Sequence, residues 1–234
     1  QLSHCGSKAP GRMNRAVIFD LDGTLIDSLP DVMNALNAVL ADNGRRAVTR
    51  HEAKTMVGGG AEPLLKRAFD ATGQSLPATR LSKYVDAFTG YYRENPATET
   101  TIFDGAIAAL EALTDDGMKL GICTNKPHAS ALQVLEALDL ARHFDACFGK
   151  ASVPYHKPDR RHYEEVAKAL GVDPDQSLYV GDSETDVETA RNSGVPIIIV
   201  PFGYTRRPVE ELGGDRMINH FSELPDTVRE LFAG

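Results

Sequence analysis

Short apolar runs and helical apolar stripes alternate along most of this chain, with one long all-helical exception near its start. Residues 16–19 (Ala-Val-Ile-Phe) form an unbroken, β-favouring apolar run that stops at Asp20, the pattern of a strand buried on both faces of a parallel sheet. From Ser28 to about Asn95 the periodicity is helical only. Ser28 reads as a cap with Pro30 in the first turn, and Val32, Leu36, Val39 and Leu40 draw the buried stripe. Thr49-Arg50-His51-Glu52 has capping-box spacing and opens a second helix that stops at Gly58-Gly59-Gly60. Further helices are expected over 61–71 and 78–93.

From Ile102 onward the alternation returns. Helices are expected over 107–116, 129–138, 161–170 and 184–192, and strands over 118–123, 144–148, 177–180 and 196–200. In the tail, 217–219 and 225–232 can add one more strand and helix. Strands separated by helices of this length imply crossover connections and a parallel sheet. The expected fold class is α/β: a doubly wound parallel-sheet core over 13–27 and 96–234, with an inserted helical module over 28–95. The flanks 25–30 and 95–103, rich in Pro, Asp, Ser and Thr, read as hinges between the two.

Composition narrows the function classes. A hydrophobic fraction of 42% over 234 residues supports a packed core, and a net charge of −8 offers no basic field to a nucleic-acid backbone. No apolar run approaches the roughly 20 residues of a membrane span. Cys5, Cys123 and Cys147 follow no metal-finger or CxxC spacing, so neither disulfides nor structural zinc is expected. With no secretory pattern, the cytoplasm is the expected location. Residues 1–12, mixed and non-periodic ahead of Met13, read as a leader or tag segment.

Ligands of open α/β sheets sit beyond the carboxyl ends of the strands, where the strand order reverses. The expected strand ends carry Asp20-Leu21-Asp22-Gly23-Thr24, Thr124-Asn125 and Gly181-Asp182-Ser183-Glu184-Thr185-Asp186. Such a set suits phosphoryl transfer. An ionised carboxylate attacks phosphorus without a helper base, so Asp20 is the candidate nucleophile. Asp22, two residues on, is placed to protonate the leaving oxygen, and Gly23 allows a tight turn beside the substrate. Several carboxylates around a phosphate dianion demand cations. Mg2+, which takes hard oxygen ligands, fits Asp20, the carbonyl of Asp22 and Asp182, with Asp186 as a fourth metal-site candidate supporting from behind. Lys157 supplies a fixed positive charge, and Thr124 and the amide of Asn125 supply hydrogen bonds to phosphate oxygens.

The four segments Asp20-Leu21-Asp22-Gly23-Thr24-Leu25, Cys123-Thr124-Asn125-Lys126, Lys157-Pro158 and Gly181-Asp182-Ser183-Glu184-Thr185-Asp186 resemble, in order, the signatures of the haloacid dehalogenase superfamily. The resemblance implies a Rossmann-like core, Asp20 as nucleophile, Asp22 as acid and then base, Thr124 and Lys157 as phosphate binders, Asp182 as a metal ligand, and the helical insert as a cap over the substrate. Asp22 favours phosphate over halide chemistry, because a halide leaves without a proton. Val57-Gly58-Gly59-Gly60-Ala61 is similar to the cap loop of phosphoglycolate phosphatases, and Pro201-Phe202-Gly203-Tyr204 to the same group, which makes Gly58, Gly59 and Gly60 substrate-binding candidates alongside Asn125. Ser152-Val153-Pro154-Tyr155 matches no pattern of that group.

The expected activity is hydrolysis of a small phosphorylated metabolite, 2-phosphoglycolate first, by a monomer or homodimer with no nucleic-acid or membrane partner. The alternatives are a β-phosphoglucomutase-like sugar-phosphate mutase, a pyrophosphatase or sugar phosphatase of the same superfamily, and a non-catalytic sensor of phosphometabolites. Lys66 and Arg67 are weighed as binders of a substrate carboxylate against a solvated helix face, and the histidines carry no expected chemistry.

Overall fold

The computed structural model describes residues 14–233, so the expectation for 1–12 and Met13 lies outside the described residues. In chain order the elements are β1 (Ala16–Phe19), β2 (Ile26–Asp27), α1 (Leu29–Asp42), α2 (Arg50–Met56), α3 (Ala61–Thr72), α4 (Leu81–Glu94), β3 (Thr101–Ile102), α5 (Ala106–Asp115), β4 (Lys119–Pro127) and α6 (His128–Ala137). They continue with β5 (Ala146–Lys150), α7 (Arg160–Leu170), β6 (Ser177–Gly181), α8 (Glu184–Ser193), β7 (Ile197–Ile199), β8 (Arg216–Met217) and α9 (Leu224–Ala233).

Six strands form one sheet in the order β5-β4-β1-β6-β7-β8, every pairing parallel. β1 is central, and its alternation feeds two cores. Val17 and Phe19 join Leu120, Ile122, Leu178 and Val180 under α5, α6 and α9. Ala16 and Ile18 join Tyr163, Val166, Val187 and Ala190 of α7 and α8 on the other face. All four β1 side chains are fully buried, which is why the run is apolar without alternation. The chain leaves β1 toward β4 on one side and toward β6 on the other, so the order reverses at β1, and the loops after β1, β4 and β6 open into one crevice.

Several boundaries differ from expectation. β5 begins at Ala146 rather than at residue 144, because the Phe144 amide closes a turn onto Ala141. β4 continues through a register shift to Pro127, which carries Thr124, Asn125 and Lys126 along the strand instead of beyond it. Ser28 precedes α1, but its hydroxyl does not cap the helix. It donates to Asp22 Oδ1 at 2.6 Å, while the Leu29 amide is taken by the hydroxyl of Tyr204 at 3.0 Å. The Thr49–Glu52 capping box of α2 is formed as expected.

Both junctions around the helical stretch contain a strand that the sequence pattern did not reveal. Ile26–Asp27 pairs antiparallel with Thr101–Ile102, joining the outgoing and returning chain as a short ribbon. Asp31, buried at the start of α1, accepts the Thr100 amide at 2.8 Å and the Thr100 hydroxyl at 2.6 Å, which fixes the returning strand. Among the described residues, no helix is long and apolar enough to cross a membrane.

Candidate active site

Asp20 follows the last residue of β1 and its amide donates to the Val180 carbonyl, so the neighbouring strand β6 holds the start of the loop. Gly23, with φ of +86°, turns the chain back, and a Cβ there would stand 2.5 Å from Asp182 Oδ2. Only glycine serves here, for conformation and for space together. Asp182, just past β6, is gripped through both oxygens: Thr24 Oγ1 donates to Oδ1 at 2.9 Å and the Tyr204 amide donates to Oδ2 at 2.6 Å. Gly203 packs so closely on Asp182 that a side chain would overlap it.

Carboxylate oxygens of Asp20, Asp182 and Asp186 converge to within 4.8 Å of one another, all three residues buried. Lys157 Nζ lies 3.0 Å from Asp20 Oδ1 and 2.7 Å from Asp186 Oδ1, and it donates to the Tyr179 hydroxyl at 3.0 Å. Asp186, in the first turn of α8, also accepts at Oδ2 from the amides of Asp182 and Ser183 and from the Ser183 hydroxyl. Both of its oxygens thus already accept hydrogen bonds. Asp20 Oδ1, by contrast, is buried with the Lys157 ammonium as its charged neighbour.

The electrostatics of the cluster follow from this packing. Burial pushes the Asp20 carboxyl up to about 6, with repulsion from Asp186 and Asp22 adding to it and Lys157 opposing. Burial, then Asp186 and Asp20, raise the Asp182 carboxyl well above the ordinary carboxylate range. Burial also works on Asp186, but the Lys157 ammonium and its hydrogen bonds win and hold it below its ordinary value. One ammonium does not balance three buried carboxylates. The converging carboxylate oxygens and the raised Asp20 and Asp182 carboxyls therefore fit a divalent cation held by Asp20 and Asp182, with hard oxygen donors of the kind Mg2+ prefers.

A cavity of about 150 Å³ opens above this cluster. Asp20, Asp22, Thr124, Asn125, Lys157 and Asp182 reach it from the core, as do Gly58, Gly59 and Gly60 from the helical module. All three glycines have positive φ, from 81° to 109°, while a Cβ on Gly58 would meet nothing, so conformation rather than space requires glycine in this loop. Thr124 Oγ1 accepts from the Lys126 amide at 3.2 Å. Asn125 Nδ2 donates to the Lys157 carbonyl at 3.0 Å, which ties the second signature to the third.

Of the two readings weighed for Lys66 and Arg67, substrate binding gains no support. Lys66 is exposed and away from the cavity, and Arg67 spends its guanidinium on the carbonyls of Met56 and Gly58 at 2.7 and 3.1 Å, bracing the glycine loop. Three participants escaped the sequence reading. Lys126 donates to Asp22, Tyr92 of α4 accepts from Lys126, and Tyr204 holds Asp182 while lining the cavity. Lys126 and Tyr204 stood inside matched segments, but contacts across 22 to 104 positions leave no local pattern. Cys123 is a buried strand residue with its thiol pushed up to about 12 by burial, an inert core side chain as expected.

The chain is similar to known proteins over most of its length. The family model described as haloacid dehalogenase-like hydrolase matches residues 17–200. The chain is 38% identical over 208 residues to the phosphoglycolate phosphatase of Mesorhizobium japonicum, covering 89% of this chain and 92% of that protein. It is 40% identical over 218 residues to the phosphoglycolate phosphatase of Rhodospirillum rubrum, covering 92% and 90%. The crystal structure of a predicted phosphoglycolate phosphatase from Haemophilus somnus superposes with a TM-score of 0.86 at 28% identity, over 92% of this chain and 98% of that one. The chain belongs to the haloacid dehalogenase-like hydrolase family, as one of its phosphatases.

Proposed function

We propose that this phosphatase is a Mg2+-dependent phosphomonoesterase whose substrate is 2-phosphoglycolate and whose intermediate is a phosphate ester on Asp20. The observation that carries the reading is the meeting of buried Asp20, Asp182 and Lys157 on the floor of a cavity, with Asp186 buried behind them and a further carboxylate, Asp22, on the wall. The names of the relatives supply the substrate class.

In this mechanism an Asp20 carboxylate oxygen attacks phosphorus, and the bond from phosphorus to the ester oxygen breaks. Asp22 gives its proton to that oxygen, so glycolate departs as an alcohol. Asp22, now a carboxylate, takes a proton from water as the water oxygen attacks the same phosphorus. The bond to Asp20 breaks, and orthophosphate and the free carboxylate are regenerated. Lys157 holds a positive charge beside the Asp20 oxygens throughout, with Asp186 and Tyr179 fixing its position. Thr124 and the Asn125 amide bind phosphate oxygens. Asp20, Asp182 and the Asp22 carbonyl would hold a Mg2+, which would neutralise charge on the phosphoryl group. The helical module, residues 28–95, serves as a cap that excludes water, with the β2–β3 ribbon as its hinge.

The test is phosphate release from a panel of phosphorylated metabolites with and without Mg2+. The expected result is Mg2+-dependent turnover led by 2-phosphoglycolate, lost in Asp20→Asn. Turnover retained by that variant refutes the covalent route, and an isomerised sugar phosphate as the product replaces hydrolase by mutase.

A further inference from the structure

The cavity is lined by two ammonium groups with different surroundings. Lys157 is committed to Asp20 and Asp186 on its floor. Lys126, on the far stretch of β4, is 8% exposed, and its Nζ donates to Asp22 Oδ1 at 2.8 Å, to Asp22 Oδ2 at 3.1 Å and to the Tyr92 hydroxyl at 2.8 Å. The mechanism gives Lys126 no task, yet burying an ammonium is costly unless it is paired. Its partner is the carboxylate that has to reach the ester oxygen.

The surroundings of Lys126 indicate what it pairs with when substrate is present. The cap side of the cavity is mainly apolar, with Val32, Val57, Leu64, Phe88 and a glycine loop without side chains, and its polar groups are the hydroxyls of Ser28, Thr89 and Tyr92, of which Ser28 is taken by Asp22 and Tyr92 by Lys126. That surface has few groups to bind the hydroxyls of a sugar. The two basic residues that could have served from the cap do not: Lys66 is exposed and Arg67 is used up on backbone carbonyls. A cation touching Asp22 stands beside the place of the leaving oxygen. A carboxylate one methylene away from that oxygen falls within its reach.

We infer that Lys126 is a specificity-determining residue that binds the second anionic group of the substrate, selecting small phosphomonoesters of 2-hydroxy acids over uncharged esters. The inference rests on the phosphomonoesterase reading above and deepens it. The substrate carboxylate replaces Asp22 as acceptor for the Lys126 ammonium, and Asp22 is released toward the ester oxygen. Tyr92 keeps its hold on Lys126 from α4, so the recognised anion is read at the seam between the helical module and the sheet. A neutral ester leaves Lys126 on Asp22 and gains nothing from the exchange.

The test compares kcat/KM for 2-phosphoglycolate and for 2-hydroxyethyl phosphate, which replaces the carboxylate by a hydroxymethyl group, in wild type, Lys126→Met and Lys126→Arg. The wild type is expected to prefer 2-phosphoglycolate by about tenfold to a hundredfold, the scale of one hydrogen-bonded charge. Lys126→Met loses that preference mainly through KM for 2-phosphoglycolate, and Lys126→Arg recovers part of it. Because Lys126→Met can misfold, the wild-type preference and the arginine variant each stand as independent checks. Equal loss on both esters overturns the inference by showing that Lys126 acts through Asp22 alone. A wild type that turns over both esters equally overturns it while leaving the phosphatase intact. A wild type that releases phosphate from neither ester refutes the underlying reading, and the inference with it.

Discussion

Replacing Gly23 by alanine tests the tightest point of the site. Gly23 sits at φ of +86°, where an L side chain costs about 1–2 kcal/mol. The new Cβ would stand 2.5 Å from Asp182 Oδ2, 2.9 Å from Tyr204 Cδ2 and 3.0 Å from Asp182 Cγ, well inside contact distance. Asp182 has nowhere to retreat, because Thr24 and the Tyr204 amide hold its two oxygens and Gly203 presses on its other side. Overpacking of this kind adds about 1–3 kcal/mol, so the expected loss is about 2–5 kcal/mol. Gly44→Ala is the control: its φ of +64° carries the same conformational cost, but its Cβ would meet nothing within 4 Å. Both variants stiffen the unfolded chain equally, so that contribution cancels in the comparison. Urea unfolding of the two metal-free proteins gives the difference, and phosphate release shows whether the displaced Asp182 still works. A Gly23→Ala protein as stable as Gly44→Ala, or as active as wild type, refutes the account of a rigid Asp182 cradle.

Two further outcomes follow from the electrostatics. Mg2+ at a hundred times its dissociation constant is expected to add about 2.7 kcal/mol, or a rise of roughly 5–10 °C in Tm for a chain of this size, and Asp182→Asn removes most of that rise; scanning calorimetry with and without chelator reads it. His162 is fully buried, and burial, followed by the positive charges of Lys157 and His156, pushes its imidazolium down to about 4. Its folded value lies below the unfolded one, so the unfolded chain binds the extra proton. Stability present above pH 6.5 is then lost as pH falls toward 4, by at most about 3 kcal/mol. Urea midpoints of wild type should drop more steeply across that window than those of His162→Gln, and parallel profiles would contradict the assignment.

The order of strands and helices was legible because its causes are local. A doubly buried strand has to be apolar throughout, as Ala16–Phe19 is, and the helices over residues 160–170 and 184–193 carry their stripes openly. Asp20 and Asp182 were legible because each follows the last residue of a strand, with Asp22 and Asp186 a few positions on. What stayed hidden depends on pairing at long range. Ile26–Asp27 and Thr101–Ile102 are too short to carry a period and become strands only by meeting each other. Ser28 has the chemistry of a cap, yet its hydroxyl is turned to donate to the Asp22 carboxylate rather than to accept from the helix start, which the Tyr204 hydroxyl serves from far along the chain. Lys126 stands beside Thr124 and Asn125 in sequence, but only the fold brings Asp22 and Tyr92 to its ammonium.

The short ribbon of β2 and β3 has a consequence for exchanging parts between related chains. Asp27 and Thr101 face each other across an antiparallel pair, where Cα atoms stand about 4.5–5.5 Å apart. A two-residue turn spans such a gap. A helical module exchanged between those positions has to keep the ribbon's two crossings and supply apolar partners like Leu29 and Leu36 to the core shared with the sheet. The stitch that joins the two crossings is also a natural cut line for grafting.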